Sequence, residues 1–299
     1  MKGRLGLSTA RVPQGDRHGL LWLSRGKLSA VDGNLSFATA GADGLTAGVY
    51  EIPFQTISAL LLGPGTTVSH DALRLLARHQ TGMLAVGAGG VRLYAVSMPH
   101  GPDRSALARR QATLWADPDR RTQIARQMYA IRFGELLPQR DLNALRGIEG
   151  QRMKKIYRNL AERYGVQWKG RRYDRSNPEG DDAINRAINH AATAVYAASR
   201  IAVAVTGAIP QLGFIHESSG HAFALDVADL FRADVTLPIA FEATSKASKS
   251  GEKNLERYTR GLAGRKLQSE KVIPKMIDQI QKVLDVDDDR SDQECAPEV

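Results

Sequence analysis

The sequence predicts an α+β protein, in which a small β-sandwich-like N-terminal domain with one helix precedes a larger all-helical domain. Between His18 and Ser97 the apolar residues fall in strand-length runs separated by turn residues. After Met98-Pro99-His100-Gly101-Pro102-Asp103, where two prolines and a glycine oppose either regular element, they recur at helical spacing. The expected boundaries are 1–98 for the β domain, 99–104 for a linker, 105–284 for the helical domain and 285–299 for a final acidic segment. That last segment is too acidic and too poor in apolar residues to pack, so disorder is expected there.

The elements follow in order. Leu20–Leu23, Lys27–Val31 and Asn34–Ala38 read as strands broken by Arg25-Gly26 and Asp32-Gly33, both turn signals. Ile57–Leu62 and Met83–Val86 are apolar runs of buried-strand length, and Gly87, Gly89 and Gly90 turn the chain into Val91–Val96. One helix interrupts this pattern. Ser69 suits its N-cap, Asp71 its first turn, and Leu73, Leu76 and Ala77 its apolar face. In the second half, Asp117-Pro118 is an N-cap followed by proline at the first helical position, opening a helix towards Phe133. Leu142–Tyr164, the alanine-rich Asp181–Val205 and Val272–Leu284 also read as helices.

The charge is unevenly distributed. Seven acids and one base give residues 285–299 a charge of −6, which leaves +15 for residues 1–284 in a chain of net +9. A body this basic favours a polyanionic partner bound in a salt-dependent way. The acidic segment has two physically reasonable roles, docking on a basic groove of a partner protein or shielding the chain's own basic surface. The single cysteine, Cys295, excludes an internal disulfide and a cysteine-based zinc cluster. No apolar run approaches the roughly 18 residues that span a membrane, and the N-terminus lacks the apolar stretch of a signal peptide, so the cytoplasm is the expected location and no membrane partner is expected.

Four residues stand out chemically. Glu149 lies in Arg146-Gly147-Ile148-Glu149-Gly150, and His216, Asp226 and Asp229 follow about seventy residues on. Asp226 and Asp229 are three apart in Ala222–Phe231, a run of good helix formers, so a helix places both on one face. One imidazole with two or three carboxylates is a hard, oxygen-rich donor set suited to Mg²⁺ or Mn²⁺ rather than Zn²⁺. Such metals neutralise phosphate charge and activate an oxygen nucleophile. His216-Glu217-Ser218-Ser219-Gly220-His221 is not a zinc-protease motif, because its histidines are five apart. Gly63-Pro64-Gly65-Thr66-Thr67 lacks the lysine of a phosphate-binding loop.

A basic stretch from Arg152 to Arg175 interleaves nine cations with Tyr157, Tyr164, Trp168 and Tyr173. Cations neutralise phosphates and aromatic faces stack on unpaired bases. Tyr157 and Tyr164 read as core residues of a helix, whereas Arg171 and Arg172, in a glycine-containing loop, read as phosphate contacts. Asn185 and Asn189, one turn apart, cap or brace the site.

Ordered short stretches complete the picture: Leu60-Leu61-Leu62-Gly63-Pro64-Gly65-Thr66-Thr67-Val68-Ser69-His70, Gly90-Val91-Arg92-Leu93-Tyr94-Ala95 and Arg132-Phe133-Gly134-Glu135, then Leu145–Gly150, Gly170-Arg171-Arg172-Tyr173-Asp174, Gly213-Phe214-Ile215-His216 and Phe223–Asp229. Together they resemble the CRISPR-associated spacer-acquisition integrase, "protein one" of CRISPR systems, in its type I-E form. The resemblance spans roughly residues 18 to 285.

It implies a helical catalytic domain in which Glu149, His216 and Asp229 hold Mg²⁺ or Mn²⁺. Asp226 lies beside them, orienting a ligand or water or holding a second metal, and all four are catalytic. DNA contacts are expected at Arg25, Arg74, Arg92, Arg171, Arg172, Tyr173 and Arg232. The expected activity is that of a CRISPR adaptation integrase, a metal-dependent endonuclease and strand transferase that joins 3′-hydroxyl ends of captured DNA to the CRISPR repeat by transesterification. Its expected partners are double-stranded DNA with single-stranded 3′ ends and CRISPR leader-repeat DNA. The protein is expected to form a homodimer through its β domains, two such dimers being bridged by a dimer of CRISPR-associated protein two. One departure concerns Arg25, in Leu23-Ser24-Arg25-Gly26. Type I-E relatives can carry a tyrosine there, in the second N-terminal strand, stacked on the duplex end; a guanidinium plane can also stack. The alternatives are a stand-alone metal-dependent nuclease on branched DNA and a non-catalytic DNA-binding scaffold.

Overall fold

The structure, a computed structural model, describes residues 19–42, 44–97, 105–138, 141–171, 182–250 and 254–284. The expected linker at 99–104 and the acidic segment 285–299 lie outside these residues, as do Arg172 and Tyr173. The chain divides into two compact units, one of residues 1–88 with 93–106 and one of residues 89–92 with 107–299. The four residues 89–92 thus belong with the helical unit.

The first unit holds two four-stranded sheets. One has the order β1 (Leu20–Leu23), β5 (Ala59–Leu62), β7 (Gly82–Val86), β8 (Leu93–Ser97). The other has the order β4 (Gly48–Ile52), β3 (Asn34–Thr39), β2 (Gly26–Val31), β6 (Thr66–Val68). β1, β5 and β7 run parallel, and all four residues of β5 are buried, which accounts for its unbroken apolar sequence. β2 and β3 form a hairpin, and its turn residues Asp32 and Gly33 have φ of 49° and 82°, the double positive that matches strand twist. Leu23 and Leu60 from one sheet and Leu28, Leu35 and Phe37 from the other meet Ala72 and Leu76 of helix α1 (His70–Arg78) in a single core. Ser69 caps that helix, its hydroxyl accepting from the Ala72 amide at 3.2 Å. β4 and β6 were not foreseen in the sequence.

The second unit is helical: α2 (Ser105–Ala116), α3 (Pro118–Phe133), α4 (Leu142–Tyr164), α5 (Ala183–Thr206), α6 (Ala222–Leu230), α7 (Leu237–Ser250), α8 (Leu255–Ser269) and α9 (Val272–Leu284). α5 is its axis and packs against α6, α7, α8 and α9. Alanines at 187, 191, 194, 198 and 202 are buried along it and allow close approach of those four helices. Asp117 caps α3 as its sequence indicates, with Pro118 at the first position. A π-helical turn, Arg232–Thr236, joins α6 to α7.

Phe37 is fully buried in the β core, whereas Val49 is 72% exposed. Phe37→Ala is expected to cost the β unit about 3–5 kcal/mol in chemical denaturation, and Val49→Ser less than about 0.5 kcal/mol. Equal costs would place the core elsewhere.

Candidate metal centre

The site is organised around one buried carboxylate. Asp226, in the middle of α6, is 1% exposed. Its Oδ2 accepts from the backbone amides of Phe214 and Ile215 at 2.6 and 3.1 Å, and its Oδ1 from the amide of His216 at 2.9 Å. The His216 ring adds Nδ1 at 2.7 Å from Oδ1. Three successive amides pointing at one anion form a nest, and charge-assisted bonds of this kind offset the cost of burying the carboxylate. The turn leaves no room for a side chain at residue 213, where a Cβ would collide with the His216 carbonyl oxygen. α2 secures the preceding loop. The fully buried Gln111 amide donates to the carbonyls of Ile209 and Leu212 at 3.0 and 2.9 Å and accepts from the Ile209 amide at 2.7 Å. Trp115 donates to the Gly213 carbonyl at 3.0 Å.

His216 Nε2 is thereby turned towards Asp229, 3.9 Å from its Oδ2. Glu149, on α4, reaches the same place through Arg132, in the last turn of α3. Arg132 pairs with Glu149, and its guanidinium is also 3.7 Å from Asp229 Oδ2. Arg232, at the start of the π turn, closes the other side, 3.7 Å from Asp229 Oδ1, and donates to the Tyr157 hydroxyl at 3.3 Å. Glu149, Asp229, Arg132 and Arg232 line a cavity of about 110 Å³. Tyr157 is buried and stacked on Trp168 with ring centroids 4.5 Å apart, consistent with its reading as a core residue.

Burial raises the Glu149 carboxyl above its ordinary range; Arg132 opposes this and Asp229 adds to it. His216 is raised mainly by its hydrogen bond to Asp226, which outweighs the opposing effect of burial. Two carboxylates crowded in a half-buried space are a donor set that a divalent cation relieves, and an imidazole whose Nδ1–H is held by Asp226 presents Nε2 as a ligand. Among the described residues no three His, Cys, Asp or Glu side chains form a ready-made ligand cage, because Arg132 stands between Glu149 and Asp229. The chemistry of the donor set nonetheless fits Mg²⁺ or Mn²⁺.

The expected DNA contacts fall in both units. Arg74 is exposed on α1 and pairs with Asp71 at 3.0 Å. Arg92, grouped with the helical unit, is 3.8 Å from Glu256. Arg25 lies in the turn before the second strand, as the Arg25-Gly26 turn signal indicates, with φ of 53°, whereas the tyrosine of type I-E relatives was expected within that strand. Its amide is tied to the Pro64 carbonyl at 3.1 Å, so the side chain leaves the chain at a bend rather than on a sheet face. Arg171 donates to the side-chain oxygens of Asn185 at 2.9 Å and Asn189 at 2.6 Å. The two asparagines therefore brace the loop onto α5, and Asn185 also donates to the Gly170 carbonyl at 3.0 Å. Sequence reasoning singled out neither Arg132, Gln111 nor Trp115. The Arg132-Phe133-Gly134-Glu135 stretch did carry a signal. Arg132 serves the carboxylates, Phe133 stacks on Tyr129 and under Arg152, Gly134 is the left-handed C-cap, and Glu135 pairs with Arg152.

The fold and the site define a protein with a β unit followed by a helical unit bearing a histidine–carboxylate cluster. The family described as CRISPR associated protein Cas1 matches residues 20–137 and 131–263. The CRISPR-associated endonuclease Cas1 of Escherichia coli K12 is 35% identical over 274 residues, covering 91% of this chain and 87% of that protein. The enzyme of the same description from Clostridium sp. SY8519 is 39% identical over 239 residues, covering 77% and 75%. The crystal structure of a TtCas1–DNA complex is similar at TM-score 0.81 and 31% identity, covering 90% of this chain and 97% of that one. A casposase bound to its integration product shares the fold at TM-score 0.66 with 16% identity, covering 90% and 96%. The chain belongs to the Cas1 family.

Because folding raises the His216 pKa, its contact with Asp226 adds stability in full below the ordinary imidazole value of about 6.5 and loses it as pH rises through the folded value. Asp226→Asn removes the largest cause, so the His216 titration followed by NMR is expected to move down. An unmoved midpoint would place the cause elsewhere. Gln111→Ala deletes three buried hydrogen bonds and is expected to cost about 2–4 kcal/mol in chemical denaturation. A loss below about 0.5 kcal/mol would mean that the loop is held without it.

Proposed function

We propose that this protein is a CRISPR adaptation integrase, a metal-dependent DNA endonuclease and strand transferase. The gathering of Glu149 and Asp229 on one small cavity, with Nε2 of the Asp226-held His216 3.9 Å from Asp229, carries this reading. The described helices include none long and apolar enough to cross a membrane, and the basic body of the chain suits a polyanionic substrate. The DNA present in the similar TtCas1 structure supports the same substrate class.

Glu149, His216 and Asp229 hold Mg²⁺ or Mn²⁺, which supplies charge stabilisation at phosphorus and an activated oxygen nucleophile. Asp226 acts as a positioning residue, since its oxygens are taken up by three amides and the His216 ring. A 3′-hydroxyl of the captured duplex attacks a phosphodiester of the CRISPR repeat. One phosphorus–oxygen bond forms, another breaks, and the proton passes from the attacking to the leaving 3′-oxygen, so no ATP and no covalent enzyme intermediate is required. The catalytic demands are in-line positioning and charge stabilisation. Arg132 and Arg232, flanking Asp229, are placed to share the charge that develops on the phosphoryl oxygens. The assembly is the one implied by the family: homodimers bridged by a dimer of CRISPR-associated protein two.

The test combines this chain with that partner, a duplex bearing 3′ overhangs and a repeat-bearing plasmid in Mn²⁺. Wild-type protein is expected to join the ends. Glu149→Ala, His216→Ala and Asp229→Ala are each expected to lower joining at least about a hundredfold, while the DNA Kd stays within about threefold. Cleavage without joining would indicate a stand-alone nuclease, and wild-type joining by any variant would remove that residue from the centre. Protonated His216 cannot bind metal, so Mn²⁺ affinity is expected to fall as pH drops through its raised pKa. A pH-independent affinity would remove His216 from the ligand set.

A further inference from the structure

α2, α3 and α9 border a second, open cavity of about 320 Å³ in the helical unit. Arg120 and Arg132 are twelve residues apart on α3, which puts them about 18 Å apart along the helix axis and separates this cavity from the metal centre. Arg110, Arg120 and Lys282 bring three cations to it, Gln123 and Gln127 add two amides, and among the described residues no acid lines it. Asp117 pairs with Arg120 at 3.6 Å, but both side chains are about half exposed and the contact is a weak neutraliser. Arg110 is half-buried, and its Nε is buried with no hydrogen-bond partner among the described residues. The cation charge at the cavity, not that inaccessible Nε, is what an anionic group entering it would meet.

The chain itself supplies one. Val283 lines the cavity and α9 ends at Leu284, immediately before the segment with seven acids and one base. A segment tethered beside a site presents its carboxylates at an effective concentration of about millimolar, whereas a separate acidic protein would need intrinsic affinity to compete. At about 3.4 Å per residue, residues 285–294 can span well beyond the length of the cavity. We propose that this cavity is a carboxylate-binding site and that its occupant is the acidic segment 285–299 of the same chain, which screens a basic face of the helical unit until a polyanion displaces it. This assigns the segment the shielding role rather than a dock on the partner protein, and it does not depend on the metal-centre reading.

The test uses the full chain without metal and a nonspecific DNA duplex at low salt. Replacing the seven acids by their amides is expected to tighten duplex binding by about three- to tenfold. The same replacement is expected to change little when Arg110→Gln, Arg120→Gln and Lys282→Gln have already neutralised the cavity. Equal tightening in both backgrounds would reduce the effect to long-range repulsion and overturn the proposal, as would no tightening in either. A second readout needs only a conservative change. In Arg110→Lys, a carbodiimide is expected to cross-link residue 110 to an acid of the segment 285–299 of the same chain, and absence of any such cross-link overturns the assignment.

Discussion

Asp226 brings the amides of Phe214, Ile215 and His216 and the His216 ring onto one carboxylate that is almost wholly shielded from water. A buried charge is tolerated only when nearly all of its hydrogen-bonding capacity is met, so the turn cannot open without exposing an uncompensated anion to the core. That constraint fixes the plane of the imidazole and commits Nδ1, leaving Nε2 to face Asp229. It also explains why a glycine stands at 213 and why a buried glutamine on α2 is spent on three hydrogen bonds to the same loop. The centre is thus held from α2, α3, α4 and α6, although only two of those helices carry its carboxylates.

Around this anchor the charges are packed more closely than folding alone favours. Glu149 and Asp229 share Arg132, and Asp229 also faces Arg232. The Arg132 side chain is only 7% exposed, so its charge depends on these acids for compensation, as theirs depends on it. Folding raises both Glu149 and His216, so rising pH lowers the stability contributed by each of them. Such local cost at a cluster of titratable groups is a mark of a functional site.

Much of this was legible in the sequence, for local reasons. Ser69 and Asp117 announce their helices because capping is settled within one helical turn, and Asp32-Gly33 announces its hairpin because few residues accept two positive φ values. Glu149, His216, Asp226 and Asp229 stood out by residue type and by an ordered resemblance. What was illegible depends on long-range contacts. Gln111 meets its carbonyls 98 and 101 residues away, and no local pattern separates it from a surface glutamine. β4 is an edge strand whose Val49 and Glu51 are exposed, so its alternation carries little apolar signal, and β6 is only three residues long. The two asparagines that hold Arg171 lie 14 and 18 residues further on, so nothing in its own segment reveals them. Arg25-Gly26 read as a turn signal, and the bond from the Arg25 amide to Pro64 does bend the chain there.

The central claim is that Asp226 holds His216 so that Nε2, with Glu149 and Asp229, forms one divalent-metal site. Calorimetric titration of Mn²⁺ into the purified chain, wild type against Asp226→Asn, tests it most directly. The account predicts one ion per wild-type chain and an affinity about ten- to a hundredfold weaker in the variant, the usual cost of losing the partner that orients a metal-bound histidine. Unchanged affinity in a folded Asp226→Asn protein, or no Mn²⁺ binding by the wild type, would contradict it.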